Sequence, residues 1–421
     1  MFLSTLAWPV LVAGWGGCAM AQGTAKGKGT DMVVTGAQAE ADAGFTSLKG
    51  RRIGLITNQT GRVADGHLVD RMRRAGAQLT AIFAPEHGFR GTAEAGAKVR
   101  DGRDPATGIA VLSLYGRTRQ PTADMLREVD VLVFDIQDIG ARFYTYISTM
   151  GLCMQAAAAS GKPFVVLDRP NPLGGDYVAG FTLEPARTSF VGQYPMPIVH
   201  GLTVGELAHM IKGEGWLTGL DTLDLKVVAL RGWQRAMRWP ATRLPWVATS
   251  PNIPTFESAL VYPGIGVVGE TLVNEGRGTA TPFSLVGAPW LDAAALVAHL
   301  NAQRLPGVHF EAVRYTPRSI PNVAATPRFL DQEISGVRLT VTNVAAYQPL
   351  EVGMHVLAWL QRAAASKGIA LFENYKMFHA ICGTARLQTL LDQRAGGTAI
   401  IAAWQTEVAR FKAQRATYLM Y

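Results

Sequence analysis

Short apolar runs rich in β-branched residues recur through the first part of the chain, at 52–57, 79–83, 109–114, 129–134 and 163–167, with segments of helical character at 68–75, 123–129 and 146–159. A strand covered by helices on both faces carries apolar residues continuously rather than alternately, so these runs read as strands of a parallel sheet. Their alternation with helices predicts an α/β fold, doubly wound around that sheet. In such a fold the loops leaving the carboxyl ends of the strands share one rim, and ligands bind in the crevice beyond it. The polar residues that follow each run are therefore the first place to look for chemistry.

Four of these loops carry it. They are Thr57-Asn58-Gln59-Thr60-Gly61; Pro85-Glu86-His87-Gly88-Phe89-Arg90-Gly91; Asp135-Ile136-Gln137-Asp138-Ile139-Gly140-Ala141-Arg142-Phe143-Tyr144; and Asp168-Arg169-Pro170-Asn171-Pro172-Leu173-Gly174-Gly175. Singly, each is also what a turn or a helix cap needs, because Asn, Asp, Gly and Pro form turns and an Asp at a strand end commonly caps a helix. Together they bring Glu86, Asp135, Asp138 and Asp168 toward one apolar rim. Carboxyl groups gathered there raise one another's pKa, which is how a fold keeps one acid protonated near neutral pH. The second loop stands out, because it sets a carboxylate, an imidazole and a guanidinium side by side just beyond a strand.

At 421 residues, 48% apolar and 17% charged, the chain exceeds what one core usually organises and predicts two domains. Thr203-Val204-Gly205-Glu206 is a capping box that opens a further helix, and a strand-like run follows at 225–230. A Pro- and Trp-rich crossing at 239–254 then places the domain boundary near Ser258, dividing 45–258 from 259–421. Beyond it come Gly-rich loops at 264–287, a helix at 291–300, strands at 310–315 and 336–342, and helices at 353–364 and 399–412: a smaller α+β domain. Within it Asn274-Glu275-Gly276-Arg277-Gly278-Thr279 offers the planar fork of Arg277 for a carboxylate, or an Arg277–Glu275 pair that merely fixes the loop. The polar set Glu373, Asn374, Lys376 and His379 is functional only if it faces the crevice.

The first residues predict export. An apolar stretch at 6–17 precedes Ala19-Met20-Ala21, a pattern cut before Gln22, so 1–21 is read as a signal peptide, 22–44 as a flexible lead-in, and the destination as the periplasm. No Lys or Arg precedes that stretch, and Trp15-Gly16-Gly17-Cys18 makes a lipoprotein the minor alternative. No other run approaches the roughly 20 apolar residues of a membrane span. Cys153 and Cys382 cannot form a disulfide framework. A net charge of +8 favours polyanionic surroundings such as cell-wall polymers. Scattered Lys and Arg without an aromatic stripe argue against nucleic acid.

Gly264-Ile265-Gly266-Val267-Val268-Gly269 matches a dinucleotide fingerprint by letter, but no helical run follows it to meet a pyrophosphate. Phosphate-loop, zinc-protease and nucleophile-elbow motifs are missing from the sequence, and the histidines are dispersed. Neither a metal nor a cofactor is predicted.

The loop motifs quoted above, with Gly54-Leu55-Ile56 before the first of them, Thr145-Tyr146 after the third, and a C-terminal Phe411-Lys412-x-x-Arg415-x-x-Tyr418-Leu419-x-Tyr421, resemble the NamZ-type exo-β-N-acetylmuramidases, glycoside hydrolase family 171. The resemblance runs from about Phe45 to Tyr421. It implies a Rossmann-like N-terminal domain, an α+β C-terminal domain with the active cleft between them, and release of N-acetylmuramic acid from the non-reducing ends of peptidoglycan glycans and muropeptides. Glycoside cleavage needs an acid for the departing oxygen and a group that stabilises or traps the oxocarbenium-like centre. Glu86 is the candidate acid. Asp135 or Asp138 would orient the substrate's acetamide or activate water, and His87 and Tyr144 would hydrogen-bond the sugar or leaving group. Arg277, Arg90, Arg142 and Arg169, in that order, are candidates for the lactyl carboxylate, with Asn58, Asp168, Asn171 and Glu275 as further binding residues. A non-catalytic wall- or sugar-binding protein and a nicotinamide-dependent enzyme are the competing readings.

Overall fold

The central sheet has seven strands, β1 (Ile53–Thr57), β2 (Leu79–Ala84), β3 (Gly102–Arg103), β4 (Ala110–Ser113), β5 (Val131–Asp135), β6 (Phe164–Leu167) and β7 (Leu225–Val228). Their order is β3-β4-β2-β1-β5-β6-β7, and every pair is parallel except β3 with β4. These come from a computed structural model that describes residues 1–2, 32–91, 96–97 and 100–421. The segment expected to be a signal peptide, beyond its first two residues, and the expected lead-in up to residue 31 lie outside the described residues.

Strands β1, β5 and β6 are buried along their whole length, which is why their sequences are apolar without alternation. One face, with Leu55, Ile82 and Val133, packs on α1 (Gly36–Asp42) and α2 (Leu68–Arg74). The other, with Ile56, Phe83 and Phe134, packs on α3 (Tyr146–Ala159) and α4 (Val204–Gly213). The sheet is thus doubly wound. The chain leaves β1 toward β2 and β4 on one side and returns to β5 on the other, so the loops after these strands surround a topological switch point. The capping box of α4 forms as its letters require: Thr203 Oγ1 accepts from the Glu206 N–H at 3.2 Å, and Glu206 Oε2 accepts from the Thr203 N–H at 3.0 Å.

Two local expectations change. The lead-in does not extend to residue 44, because α1 occupies 36–42 with Ala37, Ala41 and then Phe45 buried. Its small residues permit close docking, and a Cβ on Gly36 would lie 2.3 Å from the Val228 carbonyl oxygen. Residues 123–128 form turns rather than a helix.

The second sheet is antiparallel, β8 (Leu285–Ala288), β9 (Val308–Tyr315) and β10 (Ile334–Val341) in the order β8-β10-β9. It packs with α5 (Phe256–Val268), α6 (Ala293–Ala302) and α7 (Pro349–Ser366); α8 (Lys376–Cys382) and α9 (Gln405–Arg415) follow. The predicted glycine loop at 264–287 therefore begins inside a helix. Pro263, Gly264 and Gly266 look like breakers, but α5 is buried from Ser258 onward except at Tyr262, and that burial overrides propensity. Gly264 faces Gly353 of α7 so closely that a Cβ on it would sit 2.0 Å from the Pro349 carbonyl oxygen. The fingerprint-like glycines thus make a helix crossing.

Residues 32–421 form one compact unit, and a single hydrophobic cluster runs from Phe134 through Leu260 to Leu357. Tyr421 closes the structure by donating its hydroxyl to Asp168 Oδ2 at 2.6 Å. Among the described residues no helix is long and apolar enough to cross a membrane.

Candidate active site

Beyond the carboxyl end of β2 the chain turns sharply, with the Gly88 N–H bonded to the Pro85 carbonyl at 3.0 Å and His87 in the left-handed region at φ 69°. That turn sets Glu86 at its corner, half-buried. Thr145 Oγ1 donates to Glu86 Oε2 at 2.7 Å and the Gly96 N–H donates to Oε1 at 3.0 Å. The Tyr115 hydroxyl lies beside the same carboxylate; burial first, and that neighbour second, push it up to about 12, so it keeps its proton. Donors are thus turned onto both of its oxygens.

Glu86 faces a cleft of about 630 Å³. From the N-terminal half come Tyr115 and Arg119 after β4, Phe143 to Tyr146 after β5, and Phe190; from the C-terminal half come Tyr262, Glu270, Asn374, Lys376 and Ile381. The aromatic rings offer apolar faces for the C–H faces of a sugar, with polar groups at fixed points between them. Glu270, just past the end of α5, is the second carboxyl group of the cleft among the described residues. Burial lifts it to about 7 against the pull of Arg277. The Tyr262 hydroxyl feels Arg277 and both Glu270 and Glu86.

The other predicted residues are placed differently. Asp135 is fully buried and holds Arg169 through both oxygens, at 2.6 and 3.0 Å. Arg169 borders a separate hollow of about 310 Å³ with Val34, Thr60 and Trp239, so neither residue lines the cleft. Asp138 accepts from the Gly140 N–H at 2.7 Å, and burial raises its carboxyl to about 7 behind the cleft wall. Asp168 gathers the Gly205 N–H, Thr203 and Tyr421, capping α4. Asn58 and Asn171 fix their own turns through Thr60 and Leu173. His87 is buried and does not line the cleft. Tyr144 does line it, but donates its hydroxyl to Thr249 Oγ1 at 2.8 Å.

The arginines are likewise engaged. Arg90 pairs with Asp104 at 2.5 Å and Arg277 pairs with Glu275, the loop-fixing alternative. Arg142 is fully buried and donates to the carbonyls of Phe181, Met196 and Ile381. Burial lowers it to about 10, still charged at neutral pH, and its bond to Ile381 pins the end of α8, one wall of the cleft, to the N-terminal half.

Two family models match the chain in succession: the N-terminal part of exo-beta-N-acetylmuramidase NamZ over residues 53–257 and its C-terminal part over 260–421. The chain belongs to the NamZ family. A relative from Bacillus subtilis (strain 168), peptidoglycan beta-N-acetylmuramidase NamZ, is 42% identical over 376 residues, 89% of this chain and 88% of that protein. Crystal structures of two DUF1343 family proteins from Bacteroides fragilis NCTC 9343 are similar. One has TM-score 0.84 and 36% identity over 93% of this chain and 99% of its own. The other has TM-score 0.74 and 33% identity over 92% and 99%.

For this NamZ-family chain, the residue that sequence reasoning missed is Glu270. It falls within the stretch 264–287 that reads as Gly-rich loops. The signal that could have found it is the uninterrupted apolar character of 259–268, which marks a buried helix ending at a carboxylate. Lys376 and Asn374, set aside on the condition that they face the crevice, do face it.

Proposed function

We propose that this chain is an exo-acting β-N-acetylmuramidase that releases N-acetylmuramic acid from the non-reducing ends of peptidoglycan glycans and muropeptides, with Glu270 and Glu86 dividing the chemistry. The observation that carries the division of roles is that two carboxyl groups in unlike surroundings face one aromatic-lined cleft. Groups whose environments separate their protonation take the acid and the anionic roles. Glu270, which burial keeps protonated to about pH 7, gives its proton to the departing glycosidic oxygen. Glu86, whose two oxygens accept from Thr145 and the Gly96 N–H, either orients the 2-acetamido group as an internal nucleophile or activates water. This reverses the sequence expectation, which made Glu86 the acid and an aspartate its partner. The apolar stretch at 6–17 and the Ala19-Met20-Ala21 pattern support action outside the cytoplasm, in the periplasm.

The test is product analysis on a chromogenic N-acetylmuramic acid glycoside beside its N-acetylglucosamine counterpart, recording the anomer released. Retention assigns Glu86 to the acetamide, inversion assigns it to water, and no cleavage of either glycoside sinks the proposal. Turnover is expected to fall tenfold per pH unit above about 7 as Glu270 loses its proton. In Glu270→Gln that alkaline limb disappears and turnover drops about 10²-fold. Stability moves the other way. A carboxyl raised above 4.5 in the folded protein contributes stability that is present below 4.5 and lost as pH rises toward 7, so Glu270→Gln should melt higher than the parent at pH 8.

A further inference from the structure

N-acetylmuramic acid carries a lactyl ether whose carboxylate is ionised at neutral pH, and N-acetylglucosamine does not. A cleft that selects the first over the second needs a cation within reach of that group. The arginines of the sequence motifs are already engaged: Arg169 by Asp135, Arg90 by Asp104 and Arg142 by backbone carbonyls, while Arg277, near enough to act on Glu270 and Tyr262, is paired with Glu275 and does not line the cleft. Among the described residues two cations border the cleft itself, Arg119 and Lys376. Among the described residues neither makes an ion pair.

Arg119 follows β4. Its guanidinium lies 4.0 Å from the centre of the Phe190 ring and 5.5 Å from that of Tyr115. Stacking of this kind restrains the plane of the fork and leaves its N–H edge open, which suits a carboxylate ligand. Tyr115 in turn lies beside Glu86. The fork is thereby tied through one aromatic ring to a carboxylate that works on the sugar. Lys376 begins α8 on the C-terminal side of the same cleft and adds an exposed point charge.

We propose that Arg119, seconded by Lys376, binds the substrate's lactyl carboxylate and so sets the preference for muramic acid. This rests on the glycosidase reading above. The experiment measures kcat and KM for two aryl glycosides, the N-acetylmuramic acid compound and its lactyl methyl ester, which share ring and leaving group and differ in charge. Arg119→Met should lower kcat/KM on the acid by about 10-fold to 150-fold, mainly through KM, and move the acid-to-ester ratio toward one. Lys376→Met should lower that ratio less, and Arg119→Lys should recover part of it. Equal losses on acid and ester, or an unchanged ratio in both methionine variants, overturn the inference and leave the glycosidase reading standing. A parent protein that cleaves neither compound overturns both.

Discussion

Glu86→Gln is expected to lower turnover on the muramic acid glycoside by about 10²-fold to 10⁴-fold while KM changes little. The substitution keeps the size and shape of the side chain but removes the anion that faces the cleft. One amide oxygen can still accept from Thr145, so the turn at Pro85–Gly88 keeps one of its two anchors; the amide nitrogen then meets the Gly96 N–H as donor against donor, a modest local cost. The melting temperature should therefore stay close to the parent's. A variant with near-parental kcat would remove Glu86 from the mechanism, whatever the fate of the second carboxyl group.

Arg169→Met should instead unfold the protein more readily and leave the folded fraction active. Asp135 is fully buried, and both of its oxygens accept from the one guanidinium. Removing that partner strands a carboxylate in the sheet's interior, which costs about 3–5 kcal/mol, readable as a lower denaturant midpoint. Adding Asp135→Leu to Arg169→Met should restore most of the loss, because an apolar pair is tolerated where an unpaired charge is not. Lost turnover with unchanged stability would return Asp135 to the reacting centre and refute its placement here.

How much the sequence disclosed depended on the range of the interaction that gave each residue its meaning. The strands of the central sheet were legible because burial on both faces writes itself into consecutive residues such as Val131 to Phe134. Glu86 was legible because the strand ahead of it delivers it to the rim. Helix α5 was not, since Pro263, Gly264 and Gly266 argue for a loop until α7 is brought against them. Glu270 inherits that obscurity, because what distinguishes it is burial near residues from the other half of the chain. Asp168, Asn171 and Arg169 illustrate the opposite difficulty. Rim positions also hold the caps, turns and ion pairs that build the rim, and each of these residues is occupied by such a partner.

The hydroxyl of Tyr421 reaches a carboxylate 253 positions earlier in the sequence, the same Asp168 that caps α4 at the edge of the parallel sheet. That contact forms only when the carboxyl-terminal segment has returned and docked on the amino-terminal layers, and contacts of such range slow folding. Melting should accordingly proceed as one cooperative event, with no half-molecule surviving the loss of the other.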